Sequence, residues 1–449
     1  MREVEIKAVI AFFKNKKLIS IGIIFIIALL IIPIPRYSPH FSKSLYDIDG
    51  NLLSATVSDE GQWCFPLDSG IPEKLQKSII LYEDEYFYFH PGFNPVSIIK
   101  SIIIDIKNRR IVRGGSTITM QLMRMKNRNV SRNILNKFIE TLSAVKYSLF
   151  HSKSSILKSW CEIAPFGSNV IGVKAASLKY FNRNIDQLSW SECALLAVMP
   201  NGPGYANINK NRTELLRKRD FLLHKIHDKG YISDDELVIY LSEDLPERTF
   251  DIEQKAYHYL KFLEKSFPDQ NIFYSDINFN IQYQVNQIVQ SESQNYQSDD
   301  IRNMAAIVLD VKENSVLAYI GNVLDGKNGF NYVDIIQSPR SYGSILKPLL
   351  YAFSIDNGYL LPRELVADIP TTIGDYRPEN FDKKFRGAVH FDEVIIQSLN
   401  VPSVRVLNKV GLHNFYNQIS KLDIKYLDKG ADYYGLSIIL GGGRAVFGK

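Results

Sequence analysis

The run Leu18–Ile34, LISIGIIFIIALLIIPI, carries no charged residue, and a helix rising about 1.5 Å per residue would take it across most of a hydrocarbon core about 30 Å thick. One membrane crossing is expected. Lys14, Lys16 and Lys17 stand just before the run, so the positive-inside rule keeps residues 1–17 in the cytoplasm and places the body of the chain outside. A cleaved signal peptide is the alternative, but the run ends in Pro33, Ile34, Pro35 and Arg36 with no small-x-small cleavage site. The reading is therefore an uncleaved, single-pass anchor over residues 18–35 of the cytoplasmic (inner) membrane. The net charge of +5 owes +3 to the first 17 residues, so nucleic acid is not expected as a partner. With 449 residues, 45% apolar and 22% charged, the chain has material for about three domains and no disordered or fibrous composition. Three cysteines exclude a disulfide framework.

Residues 36–70 read as a juxtamembrane hairpin region in which Asp49-Gly50 supplies the turn. From 71 to 229 the pattern is helical, and an all-α domain is expected. Ile134, Phe138, Leu142, Val145 and Leu149 recur at helical spacing and predict one buried stripe, while Ser189 and Glu192 form a capping box. Residues 230–300 are polar, ending in QSESQNYQSDD, and read as a connecting region with limited structure of its own. At 301–449 the period changes: AAIVLDVKENSVLAYIGN is two β-rich runs about a KENS turn, followed by helices and loops, an α/β pattern of mixed sheet plus helices. No internal repeat is visible.

Two constellations carry chemistry. In the first, Glu83, Phe87 and His90 fall at i, i+4 and i+7, one helical face, before Pro91-Gly92 stops the helix. Acids at a helix end are often only a solvated face. Downstream, however, Lys107, Arg109, Arg110, Arg113, Arg124, Lys126, Arg128, Arg132 and Lys137 occur without one Asp or Glu among them. Such a run suits lipid headgroups or a bound anion. Within it Arg113-Gly114-Gly115-Ser116-Thr117-Ile118-Thr119-Met120-Gln121 offers backbone amides and hydroxyls, the materials of a phosphate cradle. A general base beside a cationic lane on an exterior, membrane-tethered domain suggests transfer of a group that leaves a lipid-linked phosphate.

EDEYFYFHPGF, RGGSTITMQLMRM, RNILNKFIE (Arg132 to Glu140), KSSILKSWCEIAPFGSNVIGVKAASLKYF and LSWSECALLAVMPNGP resemble, in order, the motifs of glycosyltransferase family 51, the peptidoglycan polymerase domain of class A penicillin-binding proteins. The resemblance implies a lysozyme-like all-α domain in which Glu83 is the general base, deprotonating the acceptor sugar hydroxyl as it attacks the anomeric carbon of a lipid-pyrophosphate donor, with inversion. It implies Lys137 as a cation for the leaving pyrophosphate, helped by a divalent ion, Mg or Mn. Gly115, Ser116, Thr117 and Gln121 match the glycine-rich motif on the donor side, Arg113, Arg132 and Glu140 match further substrate-binding positions, and Asp84, Phe87 and His90 match positions that shape the site. In many members the helix equivalent to KSSILKSWCE carries a second glutamate where this chain has Lys158, which removes a two-carboxylate mechanism at that spot. APFGSN and Met120 resemble the 1C-type subgroup.

In the second constellation Ser344 and Lys347 lie at i and i+3, one helical turn apart, and Pro348 fits only near a helix start. A lysine kept neutral by burial could activate the serine. Ser-x-x-Lys is common by chance, but GSILKPLLYAFSIDNG and Ser398-Leu399-Asn400 resemble the first two motifs of penicillin-binding transpeptidases. The implied roles are nucleophile for Ser344, base for Lys347, and relay or substrate contact for Ser398 and Asn400, in acyl transfer from a D-alanyl-D-alanine stem peptide. No Lys-Ser/Thr-Gly triplet occurs in the sequence. The reading is a transpeptidase domain incomplete at its C-terminus, with little or no transpeptidation expected; robust labelling of Ser344 by a fluorescent β-lactam would contradict that.

Cys161 and Cys193 fall on helical segments as small apolar groups, and no His/Cys spacing fits a metal site. The resemblance implies lipid II and the growing glycan strand as partners, stem peptides and β-lactams at the second domain, other cell-wall synthesis proteins, and a periplasmic setting. A lytic glycosidase and an inactive cell-wall scaffold are the competing readings; the cationic lane argues against the first, since glycan cleavage releases no pyrophosphate.

Overall fold

The Asp49-Gly50 turn forms as the sequence predicts. It joins β1 (Lys43–Tyr46) to β2 (Leu52–Thr56) in antiparallel register, and the buried Asp47 carboxylate closes the turn by accepting the Asn51 amide at 2.6 Å and the Asp49 amide at 3.0 Å. The computed structural model to which these strands belong describes residue 27 and residues 29–68, 70–96, 115–128, 133–201, 211–323, 331–422 and 424–444. The chain divides into two compact units, Met1–Phe279 and Asn280–Lys449. The expected anchor lies for the most part outside the described residues, among which no helix is long and apolar enough to cross a membrane.

The first unit is built on helices: α1 (Glu73–Glu83), α2 (Ile118–Lys126), α3 (Ile134–Phe150), α4 (Lys153–Ile163), α5 (Val173–Phe181), α6 (Trp190–Val198) and α7 (Arg212–Asp228). Leu75, Ile79, Phe87, Ile118, Leu122, Trp160, Leu195 and Leu222, all fully or nearly fully buried, form one core. Ser189 and Glu192 make the predicted capping box at the start of α6. The unit is not all-helical, however. β3 (Trp63–Cys64), β4 (Pro165–Gly167) and β5 (Val170–Ile171) form a small sheet in the order β3-β5-β4, because APFGSN reverses the chain through left-handed Gly167 and Ser168 instead of extending α4.

The predicted stripe of α3 is corrected as well. Leu142 and Val145 are buried, together with Ala144 and Tyr147, but Phe138 is 59% and Leu149 63% exposed. Burial is confined to the middle turns of this long helix, and both ends run past their cover. Leu135 and Phe150 are exposed too, and Lys146 on this helix donates to the carbonyls of Leu30 (3.2 Å) and Ile32 (2.8 Å), where the apolar N-terminal run ends.

The segment expected to be a connector with limited structure holds α8 (Asp234–Ser242), α9 (Tyr257–Ser266), β6 (Ile272–Tyr274) and α10 (Phe279–Asn295). Its polar residues occupy the outer faces of amphipathic helices, while Leu237, Leu260, Phe273 and Ile277 turn inward. β6 pairs in parallel with β1, giving the order β2-β1-β6.

In the second unit α10 covers the antiparallel pair β7 (Ala306–Asp310) and β8 (Ser315–Ile320), the predicted KENS hairpin, through Val285, Val289, Ala318 and Ile320. A second cluster gathers α11 (Leu346–Asp356), the antiparallel pair β9 (Leu365–Asp368) and β10 (Gly387–His390), α12 (Phe391–Ile396), α13 (Asn400–Val410) and α14 (Leu412–Ile419) around Leu346, Leu350, Phe391, Val404, Leu407 and Phe415.

Candidate active sites

Helix α1 does not continue through His90 as the i, i+4, i+7 reading requires. It stops at Glu83, and only a short 3-10 turn, Phe87–Phe89, follows. The reason is Asp84, whose buried carboxylate is claimed by groups outside the helix: His90 Nε2 at 2.9 Å and the Ile118 amide at 3.1 Å. The Gly92 amide donates to His90 Nδ1 at 3.2 Å, so Nε2 carries the proton given to Asp84. The result is a clamp that fixes the Asp84–Gly92 loop against the N-terminus of α2, where a carboxylate also meets the positive end of the helix dipole. Thr117 caps the same terminus, accepting from the Met120 amide at 3.2 Å and donating to Gly92 O at 2.6 Å. Gly92 has φ +99°, and a Cβ there would stand 2.5 Å from Ala144 O on α3, so no other residue fits this crossing.

Glu83, the last residue of α1, is half-buried and faces α2. Gln121 Nε2 donates to its carboxylate at 2.6 Å, and the Trp160 indole donates to Gln121 Oε1 at 3.2 Å. The indole fixes which end of the Gln121 amide points at Glu83, so the glutamate receives a donor and is held as an acceptor. Glu85, third in the acidic trio, belongs to a different structure: Lys225 (2.7 Å), in the last turn of α7, and Lys229 (2.9 Å), just past its end, grip it and hold its carboxyl below the usual range, with their hydrogen bonds the largest cause.

The structure joins Glu83 to Gln121, Asp84 to His90 and Ile118, and Thr117 to Gly92. Phe87 is fully buried beside His90, Gly115 is buried, and Ser116 is half-buried. Lys137 is exposed and Glu140 half-buried, both on α3; that helix meets α2 where Thr141 Oγ1 lies 4.0 Å from Met120 Sδ and donates to Lys137 O. Arg113 and Arg132 lie outside the described residues, as do Lys107, Arg109 and Arg110. The lane is less unbalanced than its sequence implies. Arg128 is taken by Glu60 at 2.6 Å and stacks on Tyr37, and Lys126 reaches the Tyr147 hydroxyl at 3.4 Å.

Two residues of this site escaped the sequence reading. Trp160 sits where helical spacing reads as core, and nothing in the sequence announces its bond to Gln121. Lys153, the first residue of α4, donates to His90 O at 2.7 Å and lies 4.5 Å over the Phe87 ring; burial lowers its pKa, partly offset by Asp84. Its signal was a lysine at a helix N-terminus, against the dipole.

In the second unit Ser344 lies in the turn before α11, half-buried, and its carbonyl accepts the Lys347 amide at 3.0 Å. Pro348 is the third helical residue, as predicted. The Lys347 side chain is 1% exposed, and its amine donates to Ser398 O (2.6 Å), Asn400 Oδ1 (2.8 Å) and Ser398 Oγ (3.2 Å). Burial brings its pKa down from 10.5 to about 8. Lys347, Ser398 and Asn400, read from two separate motifs, thus meet at the starts of α11 and α13, and Ser344 joins them through its carbonyl's bond to the Lys347 amide.

Residues 49–227 match the family described as Transglycosylase, and residues 304–432 the family described as Penicillin binding protein transpeptidase domain. Penicillin-binding protein 1C of Escherichia coli is 30% identical over 417 residues, 92% of this chain and 53% of that protein. Penicillin-binding protein 1F of Bacillus subtilis is 28% identical over 423 residues, 90% of this chain and 57% of that protein. The crystal structure of penicillin-binding protein 1A from Haemophilus influenzae aligns with TM-score 0.44 at 14% identity, covering 91% of this chain and 66% of that one. The chain spans about half the length of the curated relatives it matches.

Proposed function

The chain belongs to the class A penicillin-binding proteins, and from that premise we propose that its first unit is a peptidoglycan glycosyltransferase that polymerises lipid II into glycan strands. The observation that carries this reading is the chain Trp160–Gln121–Glu83, which holds one carboxylate as an acceptor beside the Asp84–His90 clamp. Glu83 takes the proton of the acceptor sugar hydroxyl while that oxygen attacks the anomeric carbon of the lipid-pyrophosphate donor; the C–O bond to pyrophosphate breaks and configuration inverts. Lys137, with Arg113 and Arg132, neutralises the departing diphosphate, and Ser116 and Thr117 flank the donor. A Mg or Mn ion travelling with the substrate would be held by the diphosphate's own oxygens, because Asp84 is spent on His90 and the Ile118 amide.

The exposed Leu135, Phe138, Leu149 and Phe150, beside the point where Lys146 grips the end of the apolar run, support a domain resting on the outer face of the inner membrane with residues 18–35 as its anchor. In the second unit Ser344 is the acyl nucleophile and Lys347 its base, with Ser398 and Asn400 holding the lysine.

The test is substrate choice. The full chain in detergent, given lipid II, should build a ladder of glycan products and leave finished glycan untouched; cleavage of finished glycan with no polymer from lipid II would make it a lytic glycosidase, and neither activity would make it a scaffold.

A further inference from the structure

Helix α13 begins without a cap of its own. Leu399, the residue before it, has no side-chain oxygen and makes no capping bond, yet α13 presents the Asn400 side chain, and Ser398 just ahead of it, to the Lys347 amine. Its first amides are satisfied from elsewhere: Asn380 Oδ1, in the loop between β9 and β10, accepts the Asn400 amide at 2.9 Å and the Val401 amide at 3.1 Å. The Asn380 Nδ2 group donates to Asp368 Oδ1 and to Lys384 O, both at 2.8 Å. Asn380 is 3% and Asp368 0% exposed, and the other Asp368 oxygen accepts the Arg386 amide at 3.0 Å. Every donor and acceptor direction of the Asn380 amide is used, and only one orientation of it serves both sides.

We propose that Asn380, oriented by Asp368, is a positioning residue for Lys347, locking the start of α13 so that Ser398 and Asn400 hold the lysine amine in its buried site. Backbone geometry makes the lock necessary: Ser398 sits at φ +53°, a strained conformation for a serine, and would relax if the following amides were released. Asn380 makes no hydrogen bond to Ser344 or Lys347 and acts through α13. The groups facing the amine, Ser398 and Asn400, carry no charge, so its titration reports enclosure, not a neighbouring ion.

The proposal rests on reading Ser344 and Lys347 as an acyl-transfer pair, but its test does not need acylation. The full chain in detergent, labelled with 13Cε-lysine and assigned with Lys347→Arg, should show Lys347 titrating near 8. In Asn380→Ala, water reaches the amine and the midpoint rises by about one unit or more toward the ordinary lysine value, while the thermal melt still shows a folded protein. Asn380→Asp sets a second carboxylate against Asp368 and should raise the midpoint likewise; adding Asp368→Asn restores the missing donor and should return it. If Asn380→Ala does not fold, that exchange pair decides. An unchanged midpoint in a folded Asn380→Ala protein, or an exchange pair that fails to restore it, overturns the proposal. Penicillin labelling, measured per folded molecule, should fall about tenfold in Asn380→Ala, a fold-change worth about 1.4 kcal/mol. Absence of labelling in the unsubstituted chain would count against the acyl-transfer reading alone.

Discussion

Glu83, Asp84 and Glu85 stand side by side in sequence and do three unrelated things. Glu83 faces Gln121, Asp84 anchors His90 and the Ile118 amide, and Glu85 bridges two lysines at the C-terminal end of α7. Charge alone cannot separate them; each is defined by a partner at least six residues away. Lys347 shows the opposite case, since the role proposed for it comes from spacing but its protonation depends on burial. With the pKa lowered to about 8 from 10.5, the unfolded chain carries a proton between those values that the folded chain lacks, so this group adds stability as pH rises from about 8 to 10.5 and costs stability below. A base must be neutral to act. Labelling of Ser344 by fluorescent penicillin should therefore climb with pH to a midpoint near 8; a rate constant flat from about pH 6 to about 10 would remove Lys347 from that role.

Helix ends position both sites. The end of α1 delivers Glu83, the starts of α2 and α4 deliver Gln121 and Lys153, and the starts of α11 and α13 bring Lys347 and Asn400 together. Local signals with a chemical rule were legible in the sequence: the Asp49-Gly50 hairpin, the Ser189 capping box, and Pro348 near a helix start. The end of α1 was not, because the group that stops it, Asp84, finds its partners at His90 and Ile118. The stripe on α3 failed for a related reason, as periodicity says which face is apolar but not how much of it a neighbour covers. Thr117 ties α2 to Gly92, so Thr117→Ala should cost about 1–2 kcal/mol through a lost cap and a lost buried bond, read as a lower urea midpoint at unchanged slope. A change below about 0.3 kcal/mol would mean that the loop is held by the Asp84–His90 clamp alone.

At the scale of the whole molecule, the order of motifs carried more than composition did. Five motifs and a serine–lysine pair, matched in order, named the two family domains, whereas the polar stretch before residue 300 hid three helices and a strand behind outward-facing side chains. The Asn380 lock had no sequence signature, since its effect depends on a loop folding back twenty residues. The account depends most on Glu83, and Glu83→Gln tests it most directly, keeping size and the neighbouring amide while removing the base. Incubated with lipid II, this variant should melt like the unsubstituted chain and lose polymer formation by at least about a hundredfold. An unchanged product ladder would contradict the account.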